Sequence, residues 1–177
     1  MDRFLEEVVV KKQRGLNEAL YLLSFVLMIF LAIFGFMMFQ VLFMQFDLVS
    51  LILTVLCLGG AFLLYMYRGR LRAEYEYTFT NGSLDFAMVF NNKKRKSLGS
   101  LNIAKVDAFG KVQSGSFRRH TSGNNIKHLR WFLNRDSELY YLAFSKEGKK
   151  SVIVFEPSEE MVGYIKHYLP YGAHQEN

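Results

Sequence analysis

Between residues 20 and 67 the chain carries one formally charged side chain, Asp47. The core of a soluble domain alternates apolar and polar residues with a period of 2 or 3.6, so a nearly uncharged block of this length does not fit one. The block divides into two runs, residues 20–44 and 48–67, separated only by Gln45, Phe46 and Asp47. A membrane-spanning helix needs about 20 mostly apolar residues, and each run reaches that length. Three residues can reverse a chain but cannot form a domain, so the runs are expected to pair as an antiparallel hairpin. The first run is too long for a signal-peptide core, and no small-x-small cleavage pattern follows it.

Cations near the helix ends set the expected orientation. Lys11, Lys12 and Arg14 precede the first run, Arg68, Arg70 and Arg72 follow the second, and the turn carries only Asp47. Both termini should therefore be cytoplasmic, in a two-span protein of the cytoplasmic membrane. In the second run Ser50, Thr54, Cys57 and Ala61 recur at helical spacing with Gly60 beside them. Ala32 and Gly35 of the first run are expected to face that stripe, because small residues let helix backbones approach closely. The spans hold no buried acid, base or histidine of the kind that marks an ion path. Cys57 is the one cysteine, so no disulfide framework or cysteine metal site is available.

Ahead of the hairpin, Phe4, Leu5, Val8 and Val9 fall on one side of a possible helix, with acids early and lysines late as the helix dipole favours. A short amphipathic helix is expected within residues 1–18, followed by the hairpin at 19–69, a cytoplasmic domain at 72–170 and a tail at 171–177.

Beyond residue 72 the period changes to 2. Tyr75, Tyr77 and Phe79 alternate with polar residues, as do Leu84, Phe86, Met88 and Phe90, around Asn81-Gly82, a strong signal for a tight hairpin turn. Further strands are expected near 95–101, 103–112 and 128–134, with a polar loop at 113–127. Another hairpin is expected around Glu147-Gly148. After Pro157, Ser158 can cap an amphipathic helix with Glu159 and Glu160 in its first turn. About seven strands and a terminal helix give an α+β membrane protein, its hairpin followed by an antiparallel β-barrel or sandwich.

That order resembles a pleckstrin-homology-like domain, whose C-terminal helix closes one end of a bent antiparallel sheet. The phrases "EYEYTFTNG", "VFNNKKRKSLG", "SGSF", "WFLNR" and "EPSEEMV", with "LNEALYLLS" near the N-terminus, resemble an uncharacterised family of small bacterial two-span membrane proteins. The resemblance implies the architecture and a bacterial setting, and brings no activity. Lipid-reading pleckstrin-homology domains carry cations around their first strand-to-strand loop. Counted from Tyr75, that loop here is the uncharged Asn81-Gly82 turn, and the cations come one loop later.

Net charge is +6, and the excess lies beyond the hairpin. Between Lys93 and Arg130 there are ten cations against one acid, Asp107. Lys93, Lys94, Arg95 and Lys96 are consecutive, and Arg118, Arg119, Lys127 and Arg130 complete the candidate surface. Three readings compete for it: a solvated face, contact with anionic phospholipid headgroups, and a protein or nucleic-acid partner, whereas a second copy of the chain (a homo-oligomer) is the alternative for the small-residue stripe of the hairpin. Nucleic acid is the weakest partner, since only Phe117, Trp131 and Phe132 offer stacking there.

No phosphate-binding glycine loop, zincin helix or nucleophile elbow is present. His120 and His128 lack nearby ligand-type neighbours in sequence, and Ser114 and Ser116 lack a recognisable base. No catalytic, metal or cofactor residue is therefore expected. The sequence favours a membrane-anchored, non-catalytic interaction module over its alternative, a membrane-associated enzyme.

Overall fold

The computed structural model describes residues 3–123 and 125–175, which form two compact units. One comprises residues 13–73, the other residues 1–12 together with 74–177.

The first unit is the helical hairpin. Helix α1 (Arg14–Met44) and helix α2 (Leu48–Tyr67) are joined by residues 45–47. Asp47 caps α2 by accepting a hydrogen bond of 2.9 Å from the Ser50 backbone N–H, and the Ser50 bonds hold its carboxyl below the usual range. Ser50, Thr54 and Ala61 are buried where the helices meet. Gly35 explains the close approach: a Cβ there would lie 2.8 Å from Leu58 Cδ2 and 3.1 Å from Cys57 Cβ. A Cβ on Gly60 would meet Leu31 at 3.4 Å. Ala32 departs from expectation, being exposed rather than packed in the stripe. Three residues N-terminal to Gly35 is slightly less than a turn, which rotates Ala32 out of the contact. Large apolar side chains cover the outside of both helices, Phe43 being 79% and Phe62 64% exposed. Both helices are long and apolar enough to cross a membrane by length and composition.

At the open end of the hairpin the arginines stack on aromatic rings. Arg68 lies over Tyr21, Phe25 and Tyr65, and Arg72 over Tyr21 at 3.8 Å while pairing with Glu18. Residues 68–72 form a 3-10 turn that ends the unit.

The second unit begins with a strand where a helix was expected. Strand β1 (Phe4–Val9) pairs antiparallel with β2 (Ala73–Thr80), from Phe4↔Thr80 to Val9↔Tyr75. Phe4, Leu5, Val8 and Val9 fit a helix face equally well, but so short a helix is marginal alone, and consecutive β-branched valines favour extended backbone. Leu5 and Val9 turn toward the core, while Phe4 and Val8 face outward.

Strand β3 (Ser83–Phe90) and strand β4 (Lys94–Asn102) complete the first sheet, in the order β1-β2-β3-β4. The β2–β3 turn has Asn81 at φ 47° and Gly82 at φ 89°. Gly82 is required twice over, since a Cβ there would also stand 2.8 Å from the Tyr168 ring.

The second sheet has the order β6-β8-β7-β5-β9. It contains β5 (Val106–Lys111), β6 (Lys127–Trp131), β7 (Tyr140–Lys146), β8 (Lys149–Phe155) and β9 (His174–Gln175). Within the loop expected at 113–127 lies helix α3 (Gly115–Thr121). Helix α4 (Glu159–Tyr168) is capped by Ser158 as expected. The tail expected from 171 contributes β9, which pairs parallel with β5; its last two residues lie outside the described ones.

The barrel expected from the strand count does not close. Nine strands form two separate sheets among the described residues, and a 3-10 turn at Ile103–Lys105 makes the corner between β4 and β5. Tyr77, Phe86 and Phe155 meet edge to face between the sheets at 5.5–5.6 Å, and Trp131 lies 4.7 Å from Phe86.

A polar clasp holds the chain that follows β1. Buried Asn134 accepts from the Lys12 backbone N–H at 2.8 Å and donates to the Val10 carbonyl at 2.9 Å and to Glu156 at 3.0 Å. Replacing Asn134 with Ala leaves these groups unpaired and should cost about 1–3 kcal/mol. Denaturant titration of the full-length protein, followed through the single tryptophan, Trp131, measures this directly.

Candidate functional site

The ends of the two sheets differ in what closes them. Helix α4 covers the end bearing the Asn81-Gly82 turn, where Tyr164 and Tyr168 pack on Phe79 at 5.8 and 5.5 Å. The opposite end follows from strand directions. Val9 ends β1 opposite Tyr75 near the start of β2, so both connections to the helical hairpin leave from there. Strand β3 runs back to the same end and turns through Asn91 and Asn92, at φ 49° and 51°. Lys93 closes that turn, its backbone N–H donating to the Phe90 carbonyl at 3.1 Å. Lys94, Arg95 and Lys96 then open β4, opposite Phe90, Val89 and Met88.

The second sheet points the same way. Tyr77 donates to the Trp131 carbonyl and accepts from the Glu156 backbone N–H, while Tyr75, nearer the β2 start, donates to the Arg130 carbonyl at 3.3 Å. Burial pushes the Tyr77 hydroxyl far above the normal phenol range, so it stays a neutral donor. Tracing β6 and β8 backward from these contacts leads to Lys127 and to the Glu147-Gly148 turn, away from α4.

This arrangement corrects the loop count made from Tyr75. With β1 present, the first strand-to-strand connection is the whole stretch from residue 10 to 72, and Asn81-Gly82 is the second. The basic turn is the third, on the same end as the first.

Lys93, Lys94, Arg95 and Lys96 are largely solvent-facing, and Arg118, Arg119, Lys127 and Arg130 are exposed as well. They stand on three separate elements. The first four lie on the turn and edge strand of the first sheet, Arg118 and Arg119 on α3, and Lys127 and Arg130 on β6, the edge of the second. The candidate set omitted Lys146, Lys149 and Lys150, which flank the Glu147-Gly148 turn. Their signal was the phrase "KEGKK", read only as a turn.

Arg95 is the tetrad member held by a carboxylate. It pairs with Glu76 of β2, whose side chain is 11% exposed. Burial raises the Glu76 carboxyl above its ordinary value, Arg95 opposes that rise, and Glu6 beside it adds to it. Ser116, considered as a nucleophile, is buried and accepts from the Tyr141 hydroxyl at 2.9 Å, with Ser114 at 2.7 Å. No histidine or carboxylate is among those partners. Among the described residues there is no group of three or more His, Cys, Asp or Glu positioned to hold a metal ion.

Two facing sheets closed at one end by a C-terminal helix define a PH-like domain. A model of the family described as a bacterial PH-like domain (DUF6106) matches residues 1–174, and the chain belongs to that family. No curated protein and no solved structure matches the chain.

Because the folded state raises the Glu76 carboxyl, its native form binds more protons than the unfolded chain just above the ordinary Glu range. Stability should therefore fall as pH rises through that interval and stay lower above it. Glu76→Gln should flatten this dependence and be neutral or stabilising near pH 7, with no gain near pH 4. Thermal melts of both forms across pH 4–8 test the sign.

Proposed function

We propose that the chain is a membrane-anchored, non-catalytic interaction module. In this reading the helical hairpin spans a bacterial cytoplasmic membrane and the PH-like domain sits on the cytoplasmic side. One observation supports it above the others: the basic β3–β4 turn occupies the end of the domain from which both connections to the apolar hairpin depart. Exposed Phe43 and Phe62 and their neighbours form a surface suited to lipid. The arginine-aromatic cluster formed by Arg68, Arg72, Tyr21 and Tyr65 suits a membrane interface.

Lys93, Lys94 and Lys96 would then meet anionic phospholipid headgroups, each contributing about 1 kcal/mol within a Debye length of roughly 8–10 Å. Since the hairpin supplies the anchorage, this energy orients the domain rather than recruiting it.

Topology is tested with a membrane-impermeant thiol reagent on intact cells, in a Cys57→Ser background. A cysteine at Asp47 should react from outside, and one at the exposed Lys166 should react only after lysis; the reverse pattern would sink the orientation.

Headgroup contact is tested on the full-length protein in nanodiscs, with a fluorophore on a cysteine replacing Asn92. Quenching by headgroup-nitroxide lipid should be stronger in discs containing phosphatidylglycerol than in phosphatidylcholine alone. It should fall when Lys93, Lys94 and Lys96 become Gln, or in about 0.5 M salt. Equal quenching in both discs means the turn does not contact anionic lipid.

A further inference from the structure

The outer face of the second sheet carries features that the membrane reading does not use. Ala108, Tyr141, Ala143, Val152 and Val154 turn away from the main core and form a second apolar cluster, covered in part by Phe117 of α3 and by Ile126. Helix α3 does not reach across the whole face. Between its C-terminal end and the β7–β8 hairpin lies a cleft of about 630 Å³, within the range of roughly 300–1,000 Å³ typical of small-molecule sites.

The chemistry of this cleft is divided. Its floor is apolar, built from Ala143, Val152 and Ile126. Its rim is cationic, with Arg119 and His120 from the end of α3 on one side and Lys150 on the other. Lys150 follows the same strand face as Val152, so period 2 directs it to this side of the sheet. Among the described residues, Arg119, Lys149 and Lys150 form no ion pair with any carboxylate. The one acid lining the cleft is Asp107, which accepts a hydrogen bond of 3.0 Å from the Ser145 hydroxyl through one carboxylate oxygen. The cleft continues into a shallower groove with Lys127 and Lys146.

We propose that this cleft binds a small organic phosphate bearing hydroxyl groups. Arg119, Lys150 and an imidazole around one depression attract a phosphate, and the Arg119 guanidinium can grip two of its oxygens at once. An apolar floor adds nothing for a bare anion, but it does hold a carbon framework. A carboxylate on the rim would repel a simple polyanion, whereas it accepts hydrogen bonds from the hydroxyls of a sugar or polyol. The three features together select a phosphorylated polyol or nucleotide over inorganic phosphate. The site lies on the outer face of the second sheet, so it is separate from the Lys93–Lys96 turn on the first.

The experiment is calorimetric titration of the full-length protein in phosphatidylcholine nanodiscs with ADP, glucose 6-phosphate and inorganic pyrophosphate. At least one organic phosphate should bind saturably and more tightly than pyrophosphate. That binding should weaken about tenfold or more, some 1.4 kcal/mol, in Arg119→Gln/Lys150→Gln, whose surface positions leave the fold intact by thermal melt. It should be unchanged when Lys93, Lys94 and Lys96 are Gln, so loss of headgroup contact and loss of this site are read separately. No saturable binding of either organic phosphate up to about 5 mM would overturn the proposal. Equal weakening by the two sets of substitutions would also do so, as it would reveal only diffuse attraction. Adding phosphatidylglycerol to the discs distinguishes the source: retained affinity supports a soluble ligand, and competitive loss shows that lipid headgroups occupy the same cleft.

Discussion

The pairing of β1 with β2 is the interaction on which the rest of the architecture depends. Six residues near the N-terminus occupy the edge of a sheet whose other strands all follow the hairpin. Strand pairing with period 2 places Leu5 and Val9 against the core and satisfies one side of β2. It also makes the PH-like unit discontinuous in sequence, with the two apolar helices inserted between adjacent strands. Adjacent antiparallel strands lie about 5 Å apart, and the ends of a packed helix pair lie about 8–10 Å apart. The difference is within the reach of one or two extended residues, at about 3.3–3.6 Å each, so a helical hairpin can be inserted with short connections. The domain therefore has two covalent tethers, where a simple tail would have one.

Polar groups reinforce that insertion at the points where the chain leaves the sheet. Asn134 and Glu156 bind the segment after β1, and Lys12 pairs with the exposed Asp136, a contact that contributes little alone. Glu7 accepts from the Ser158 backbone N–H at 3.0 Å and from its hydroxyl, the same hydroxyl that caps α4. The N-terminal strand is thus coupled to the helix closing the far end, so loosening β1 would weaken the α4 cap as well.

Much of this was legible in residue patterns, for identifiable reasons. Asn81-Gly82 and Glu147-Gly148 mark their hairpins because left-handed backbone selects those residue types, and the apolar block marks its helices because nothing else tolerates so few charges. The β1 segment misled because Phe4, Leu5, Val8 and Val9 suit either period, and only the free edge of β2, some 70 residues away, decides between them. Helix α3 was hidden in a run of Ser, Gly and Asn, since its stability comes from Phe117 packing on Tyr141 at 5.3 Å rather than from propensity. The cleft beneath it was hidden for the same reason. Arg119 and Lys150 are 31 residues apart, and they reach one rim through the docking of α3 on Tyr141 of β7 together with the β7–β8 pairing.

The four consecutive cations admit one further physical test of meaning. Strand β4 is an edge, and charged side chains on an edge prevent it from templating another chain. One or two lysines accomplish that, and Arg95 is partly occupied with Glu76. Edge protection accounts for Lys94 and Lys96, which stand on the strand itself, but not for Lys93, which lies in the turn before the strand begins. Lys146, Lys149 and Lys150 repeat the pattern at a hairpin tip that extends past both neighbours, since β6 pairs with β8 only from Ser151 and β5 with β7 only up to Phe144. Lys93 is therefore the cation that edge protection leaves over, and the proposed contact with an anionic surface gives it a role.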